Sequence, residues 1–428
     1  MKRLRVFCLV LVLCITAVSA CSALAEPYEF TFLSTWNESE DKVQLLTALT
    51  EQYKAEVNPD FNFNLSVIAS DDLQRQIKIY VASNEMPEMF VYYCGRPLQE
   101  LIAADLVVNM KDTSVYQYLD PSAISLLGLL EGKYAEEGLY ELPLGMNVEG
   151  FWYNKEMFEE FGIEIPQTWD ELLAACETLK ANGITPIGMG GSSKWTLTRL
   201  IHAYAIRKLG PDCMYKAADG LLSFNDPGFV EAAQAVQDLA QNGYFGEGYL
   251  TLANGDAEDM LITGVCAMIY DGSWITSKLN DDTKNLLGEN IGFFNVPTVE
   301  NGAEDQTALP MNCGTTIAFS ASQWDDTIAE WADYVFSRMG NLAMQEFGTL
   351  LGYAVTEIPE DTPYYTRLVA DLVSSAETSA LWWETFMDDA TTGIAKDYAQ
   401  ALVLGEISAE EYCKLVDDSN NAYLASLE

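Results

Sequence analysis

Aromatic residues recur in this sequence beside short polar runs. Trp36 is followed by Asn37 and Glu38, Tyr93 stands three residues before Arg96, and Asn147 and Glu149 are close neighbours. Trp195 ends the run Gly190-Gly191-Ser192-Ser193-Lys194, Trp274 follows Asp271-Gly272-Ser273, and Trp382 precedes Trp383. Such a set suits binding more than bond breaking. A solute with flat apolar faces and a rim of hydroxyls, as a saccharide has, is held by rings against its faces and by amide, carboxylate or guanidinium groups at its edge. Trp274, in its Gly-Ser-Trp loop, is the principal platform candidate, while Trp36, Trp195 and Trp382 divide evenly between platform and core. Trp152, Trp169, Trp324 and Trp331 read as structural, and so does Trp383, because adjacent helical residues point apart. Glu38 and Arg96 read equally well as surface charges.

Catalytic chemistry has little to build on. His202 is the single histidine and lies in the apolar helical run Leu200–Ile206, which leaves a Ser-His-Asp triad without a natural place. No glycine-rich nucleotide motif is present. A glycoside hydrolase needs two carboxylates about 5–10 Å apart, and 64 acidic residues make some such pair unavoidable. None stands out as nucleophile or acid, so no catalytic residue is assigned and the chain reads as a non-enzyme. Cys94, Cys176, Cys213, Cys266, Cys313 and Cys413 are scattered singly, without a C-x-x-C pair or a histidine cluster. That excludes zinc and redox motifs, so no metal and no cofactor is expected; a chain this long makes enough core without disulfides, and buried free thiols are the expectation.

Against 64 acidic residues stand 23 lysines and arginines, a formal net charge of −41. That excess repels nucleic acid, anionic membranes and anionic solutes, leaving a neutral or cationic ligand, although solubility accounts for most of it. The N-terminus has Lys2, Arg3 and Arg5, an apolar run from Val6 to Val18 broken only by Thr16, then Ser19 and Ala20 before Cys21. This is the pattern of a signal peptide over 1–20, too short for a spanning helix of about 20 apolar residues. Val18-Ser19-Ala20-Cys21 resembles a bacterial lipobox, which would make Cys21 a lipidated, palmitate-bearing N-terminus on the outer side of the cell membrane, with residues 21–27 as tether. Ala23-Leu24-Ala25 fits ordinary cleavage instead, releasing a soluble protein that starts at Glu26. The lipobox is the favoured reading, and both export the chain. The length remaining exceeds what one core serves, so two domains are expected; nothing calls for an oligomer, and a monomer is the expectation.

Positioning these loops requires an α/β scaffold. Tyr28–Phe32 reads as a strand, about Asp41–Val57 as an amphipathic helix, the alternation Phe61, Phe63, Leu65, Val67 as a strand, and Asp71–Ala82 as a helix. Glu88–Tyr92 is a strand, Leu98–Ala103 a helix, Val148–Tyr153 an apolar run, and Asn154–Phe161 a helix ended by Gly162. Thr168 with Glu171 predicts a capping box, and Gly183 stops the helix it opens. Val265–Ile269 and Ile317–Phe319 read as strands, and most of the chain after Trp324 as helix. Alternating strands and helices predict a parallel α/β sheet. No linker separates two halves, so the chain is expected to cross between them more than once, making a hinge.

Three stretches in order, Leu139-Tyr140-Glu141-Leu142-Pro143, Trp152-Tyr153-Asn154-Lys155-Glu156-Met157-Phe158, and Gly162-Ile163 with Pro166-Gln167-Thr168-Trp169-Asp170-Glu171-Leu172, form a recognisable series. With 82–90, Gly264-Val265-Cys266-Ala267-Met268, Gly272-Ser273-Trp274 and Trp331-Ala332-Asp333-Tyr334-Val335-Phe336, it resembles the extracellular solute-binding proteins of carbohydrate ABC importers, the maltose-binding-protein-like group called family 1. The resemblance implies an α/β, two-lobed periplasmic-binding-protein-like fold of type II, with a ligand cleft and three crossing segments. Mapped here, the crossings fall near Leu142–Asn147, Phe294–Thr298 and Trp331–Phe336. The lobes become 28–143 plus 297–332, and 144–296 plus 333–428. It further implies that Trp36, Asn37, Glu38, Tyr93, Arg96, Asn147, Trp195, Trp274 and Trp382 line the cleft, with Asp271 beside Trp274. The implied function is capture of a sugar or oligosaccharide and its delivery to ABC permease subunits, from a lipid anchor in the membrane. The rivals are a secreted glycoside hydrolase and a surface sensor or adhesin, or a binding protein for a polyamine or peptide.

Overall fold

Among the described residues, ten strands form two sheets. The computed structural model describes residues 27–69, 72–356, 358–382 and 385–427; the signal segment, Cys21 and Trp383 lie outside the described residues. The first sheet holds β1 (Tyr28–Ser34), β2 (Phe61–Val67), β3 (Met89–Tyr92) and β9 (Thr316–Phe319), in the order β2-β1-β3-β9. β1 runs parallel to β2 and β3, and β9 returns antiparallel to β3. The second holds β4 (Asn147–Asn154), β5 (Thr185–Ile187), β6 (Cys266–Gly272), β7 (Ile291–Phe294), β8 (Leu309–Asn312) and β10 (Ser379–Ala380), in the order β10-β8-β4-β6-β5 with β7 also on β4.

Parallel pairing, expected from the alternation of elements, holds in the first sheet but only at the margins of the second. There β4 pairs antiparallel with β6, β7 and β8. Every residue of β4 after Asn147 is buried, as a strand covered on both faces must be. The helix after β4 is Lys155–Glu160, and the capping box at Thr168 opens helix Trp169–Ala181 with both reciprocal hydrogen bonds made.

Each sheet has its own aromatic core. In the first, Trp331 packs at a tilt on Phe30 at 4.5 Å and stacks on Phe61 at 6.0 Å, and its indole N–H donates to Thr50 Oγ1 at 3.0 Å. Trp331 belongs to helix Asp326–Phe347, which packs on helix Asp41–Glu56. In the second, Phe151 stacks on Phe294 at 5.0 Å, and buried Trp152 donates to the Asp271 carbonyl at 3.2 Å. Trp169 is buried too, whereas Trp324 is half-buried with its ring edge-on to Phe319. The six cysteines from Cys94 to Cys413 are free and buried.

The crossings define the hinge. Leu142 bridges Ile317 in the first sheet, and five residues later Asn147 pairs with Asn312 in the second. Two antiparallel segments, 143–146 and 313–315, therefore run side by side between the sheets. The second crossing, expected near Phe294–Thr298, is not there: the chain stays with the second sheet through β8 because β8 completes the edge of β4. The third, expected at Trp331–Phe336, falls inside the unbroken helix Asp326–Phe347, where the burial of Trp331 and Phe336 fixes it to the first core. Tyr353 still bridges Leu119, while helix Tyr364–Ser375 packs on β4. We therefore propose that the third crossing lies within 355–363, giving lobes of 28–142 plus 316–354 and of 147–312 plus 364–427.

Candidate functional site

A cleft of about 930 Å³ opens between the two sheets' lobes. Trp36, from the loop after β1, and Tyr93, after β3, line it from the first lobe; Trp195, Trp274 and Trp382 line it from the second. Asn37, Glu38, Arg96, Asn147 and Asp271 do not line it. The Asn37 side-chain oxygen accepts the Ser39 backbone N–H at 2.9 Å, an Asx turn that closes the loop, and Glu38 points to solvent. Asn147 is a hinge residue whose amide donates to Asn312 Oδ1 at 3.2 Å. Arg96 reaches across to Asp219, at 2.8 Å.

Trp274 owes its position to its neighbours. A Cβ on Gly272 would lie 2.1 Å from the Trp274 ring, so only glycine lets the indole fold back over this backbone. Asp271 lies behind, its Oδ1 accepting the Gly272 N–H at 2.9 Å and its Oδ2 the Asn254 amide at 3.2 Å. Burial, with Glu258 beside it, pushes the Asp271 carboxyl well above the usual carboxylate range. It is a brace for the turn, out of reach of the cleft. The Trp274 ring meets Trp195 edge-on, with centroids 5.8 Å apart and planes at 73°, so the two indoles present faces in different directions.

Arg199 is the central polar residue, and the sequence reading missed it. Helix Trp195–Leu209 places it one turn after Trp195, on the same face. Its guanidinium lies 3.8 Å from the Trp382 ring centroid and 5.5 Å from that of Trp195. Glu149 on β4 forms the ion pair with it and accepts the Asn312 amide at 2.8 Å. Asn312 Oδ1 in turn accepts from Gly314 N at 2.8 Å. One hydrogen-bonded path thus runs from the cleft floor through β4 to both crossing segments. The spacing from Trp195 to Arg199 was the available signal, while nothing in Pro310-Met311-Asn312 announces the amide.

The other missed group lies on helix Asp389–Leu404. Asp388 caps it, accepting Ala390 N at 3.0 Å and Thr391 N at 3.2 Å. Asp389, Thr392, Gly393 and Lys396 follow at helical spacing and face the cleft. The charged side chains lining the cleft are Arg199, Asp389 and Lys396, and Glu149 pairs with Arg199 from behind the wall. Beneath the hinge sit two further acids: Glu131 accepts the Tyr140 backbone N–H, and Glu141 accepts the Thr316 hydroxyl. Burial raises the first to about 7, and burial with the neighbouring Glu131 raises the second to about 8.

Among the described residues, no group of three or more His, Cys, Asp and Glu is placed to hold a metal. A family model described as bacterial extracellular solute-binding protein matches residues 37–341. A Brucella abortus (strain 2308) protein named as a binding protein is 23% identical over 289 residues, 66% of either chain, so the match spans just under two thirds of that relative's length. The multiple sugar-binding protein of Streptococcus mutans serotype c is 25% identical over 342 residues, 76% of either chain. Among solved structures, a chitin oligosaccharide binding protein superposes with a TM-score of 0.79 at 24% identity, covering 94% of this chain and all of that one, which speaks for the fold.

Proposed function

The chain belongs to the bacterial extracellular solute-binding protein family, and from that premise we propose that it captures a neutral saccharide between its lobes and delivers it to an ABC importer. The carrying observation is the cleft wall of Trp195, Trp274 and Trp382 around the Arg199 guanidinium, faced by Trp36 and Tyr93. Indole faces suit sugar ring faces, and the guanidinium supplies donors for hydroxyls. Opposite charges balance along the wall, which favours a neutral ligand over an anion or a polyamine. A volume near the upper end of the range for small-molecule sites, about 300–1,000 Å³, favours more than one sugar ring.

Titration of the exported chain with raffinose, chitotriose, xylotriose and spermidine tests this through Trp fluorescence. A saturable change with a Kd of about 1–100 μM for a sugar is expected. Saturation by spermidine alone would overturn the sugar reading, and hydrolysis products would replace it with a glycosidase.

The reading extends to the N-terminus. Lipidation at Cys21 would hold the receptor beside its permease on the outer face of the cell membrane. The mature protein should carry the mass of a diacylglyceryl-cysteine, and Cys21→Ala should release it to the medium. A mass beginning at Glu26 would show a soluble form instead.

A further inference from the structure

Arg96 has the setting of a ligand residue by sequence, yet it turns away from the cleft and grips the opposite lobe. It is the first residue of helix Arg96–Ala103, on the first lobe. Its Nη2 donates to Asp219 Oδ1 at 2.8 Å and to the Ala218 carbonyl at 3.3 Å, and the guanidinium stands 4.9 Å from the centre of the Tyr423 ring. All three partners belong to the second lobe. Ala218 ends helix Cys213–Ala218 and Asp219 caps it, while Tyr423 comes from the last helix, Ala409–Ser426.

This receptor is assembled without the first lobe's help. Asn420, one turn before Tyr423, donates to the carbonyls of Ala217 at 3.0 Å and Ala218 at 3.3 Å, tying the end of the one helix to the other. A carboxylate, a helix-end carbonyl lacking an intrahelical partner, and an aromatic face thus wait on one lobe for a planar cation carried by the other. The approach is made possible next door. Gly95 has φ of +76°, and a Cβ there would lie 2.0 Å from the Thr385 carbonyl oxygen, so the two lobes meet backbone to backbone at this point. The Arg96 side chain keeps 14% of its exposure and Asp219 keeps 40%.

We propose that Arg96 and Asp219 form a latch that biases the lobes towards closure without touching the ligand. The proposal rests on the two-lobed capture reading. It makes Arg96 a positioning residue: it raises the affinity for every cleft ligand by a common factor and does not choose among them. An ion pair of this exposure, with a carbonyl hydrogen bond and a cation–ring contact, changes the closed-to-open ratio by about tenfold. In the ligand-free protein the latch raises the closed-to-open ratio by the same factor.

Small-angle X-ray scattering on the ligand-free exported chain tests the latch directly. Arg96→Glu should increase the radius of gyration, and Arg96→Glu combined with Asp219→Arg should return part of the way. In the wild type, raising NaCl to 0.5 M should change the radius of gyration much less than Arg96→Glu does, because a contact pair at 2.8 Å lies inside the Debye length of about 4 Å. Gly95→Ala keeps both charges yet props the backbones apart, and should open the lobes likewise. Wild-type and Arg96→Glu profiles that superimpose would overturn the proposal. In stopped-flow dissociation of raffinose and chitotriose, each sugar that binds should leave about tenfold faster from Arg96→Glu. Loss confined to one sugar would make Arg96 a ligand residue and sink the latch. Scattering needs no sugar, so a failure of the sugar assignment and a failure of the latch remain distinguishable.

Discussion

Near the hinge each lobe buries a pair of charged or acidic groups, and the two pairs are kept in opposite ways, although behind Trp274 the second lobe also buries a raised acid, Asp271. The second encloses Glu149 and Arg199 as an ion pair, with Asn312 taking a further hydrogen bond and two indoles covering the guanidinium. The first encloses Glu131 and Glu141 together, with Glu131 Oε2 and Glu141 Oε1 lacking partners. A buried charge persists only if paired, and otherwise the group becomes neutral. The second lobe has therefore kept a cation at the cleft, where it can offer donors, while the first keeps two acids near the hinge by protonating them. The contrast extends to the cleft walls, where the second lobe supplies three indoles and the first supplies Trp36 and Tyr93.

The largest expected effect is at Arg199. Arg199→Ala leaves Glu149 buried without its cation, a change that typically costs about 3–5 kcal/mol. Thermal unfolding should show a fall of several degrees, and sugar binding should vanish. Arg199→Lys should recover stability better than affinity, because lysine restores the charge without the planar fork that lies on the Trp382 ring. Equal recovery of both would reduce Arg199 to a structural counter-ion. Next comes Trp274→Ala, which should weaken binding about 100-fold, roughly 2.7 kcal/mol, with little change in melting temperature, since the ring lines the cleft and braces no core. A large drop in melting temperature would make it a core residue.

The acids of the first lobe should respond with the opposite sign. A carboxyl whose pKa is raised on folding stabilises the fold below its unfolded value near 4.5, and that contribution is lost as pH rises through the folded value, here about 8 for Glu141. Glu141→Gln removes the titration while keeping an oxygen for the Thr316 hydroxyl. The variant should match the wild type at pH 4.5 and be more stable at pH 8.5, by roughly 4–5 kcal/mol. Melting curves at the two pH values decide it: a variant less stable at both would show that Glu141 is ionised and paired, and the contrast between the lobes would fall.

How much of this was legible depends on the range of the interaction. Elements set by local pattern, such as β2 with its alternating Phe61, Phe63 and Leu65, or the capping box at Thr168, are written in a few consecutive residues. Of the five aromatics that line the cleft, Trp274 was the most readable for the same reason, since it directly follows glycine and serine, whereas Trp36, Trp195 and Trp382 read equally as platform or core. What the sequence could not disclose depends on partners far along the chain. Glu149 and Arg199 are 50 residues apart, Glu149 and Asn312 163, and Arg96 and Asp219 123. Arg96 looked like a ligand group because its neighbour Tyr93 is in the cleft, and only the approach of the other lobe shows where its guanidinium goes. The misplaced crossings have a similar origin: burial of Trp331 by Phe30 and Phe61 decides which lobe holds that helix, and those rings come from the opposite end of the chain.

The smallest expected effect tests the first lobe's own wall. Trp36 is half-buried, and the Lys42 ammonium stands 4.1 Å from its ring centre, so one face of the indole already has a cation. Burial lowers the pKa of that lysine, against the pull of Glu40 and Asp41. The ring has therefore only its other face and its edge for a ligand, whereas Trp195, Trp274 and Trp382 enclose the polar centre of the site. Closing the first lobe over a solute already seated on the second costs an indole little if it only covers. Trp36→Ala should thus weaken raffinose or chitotriose binding less than tenfold, with most of the change in the dissociation rate, since a cover slows escape more than it speeds entry. A loss of 100-fold or more, equal to that of Trp274→Ala, would show that the first lobe recognises the ligand as fully as the second.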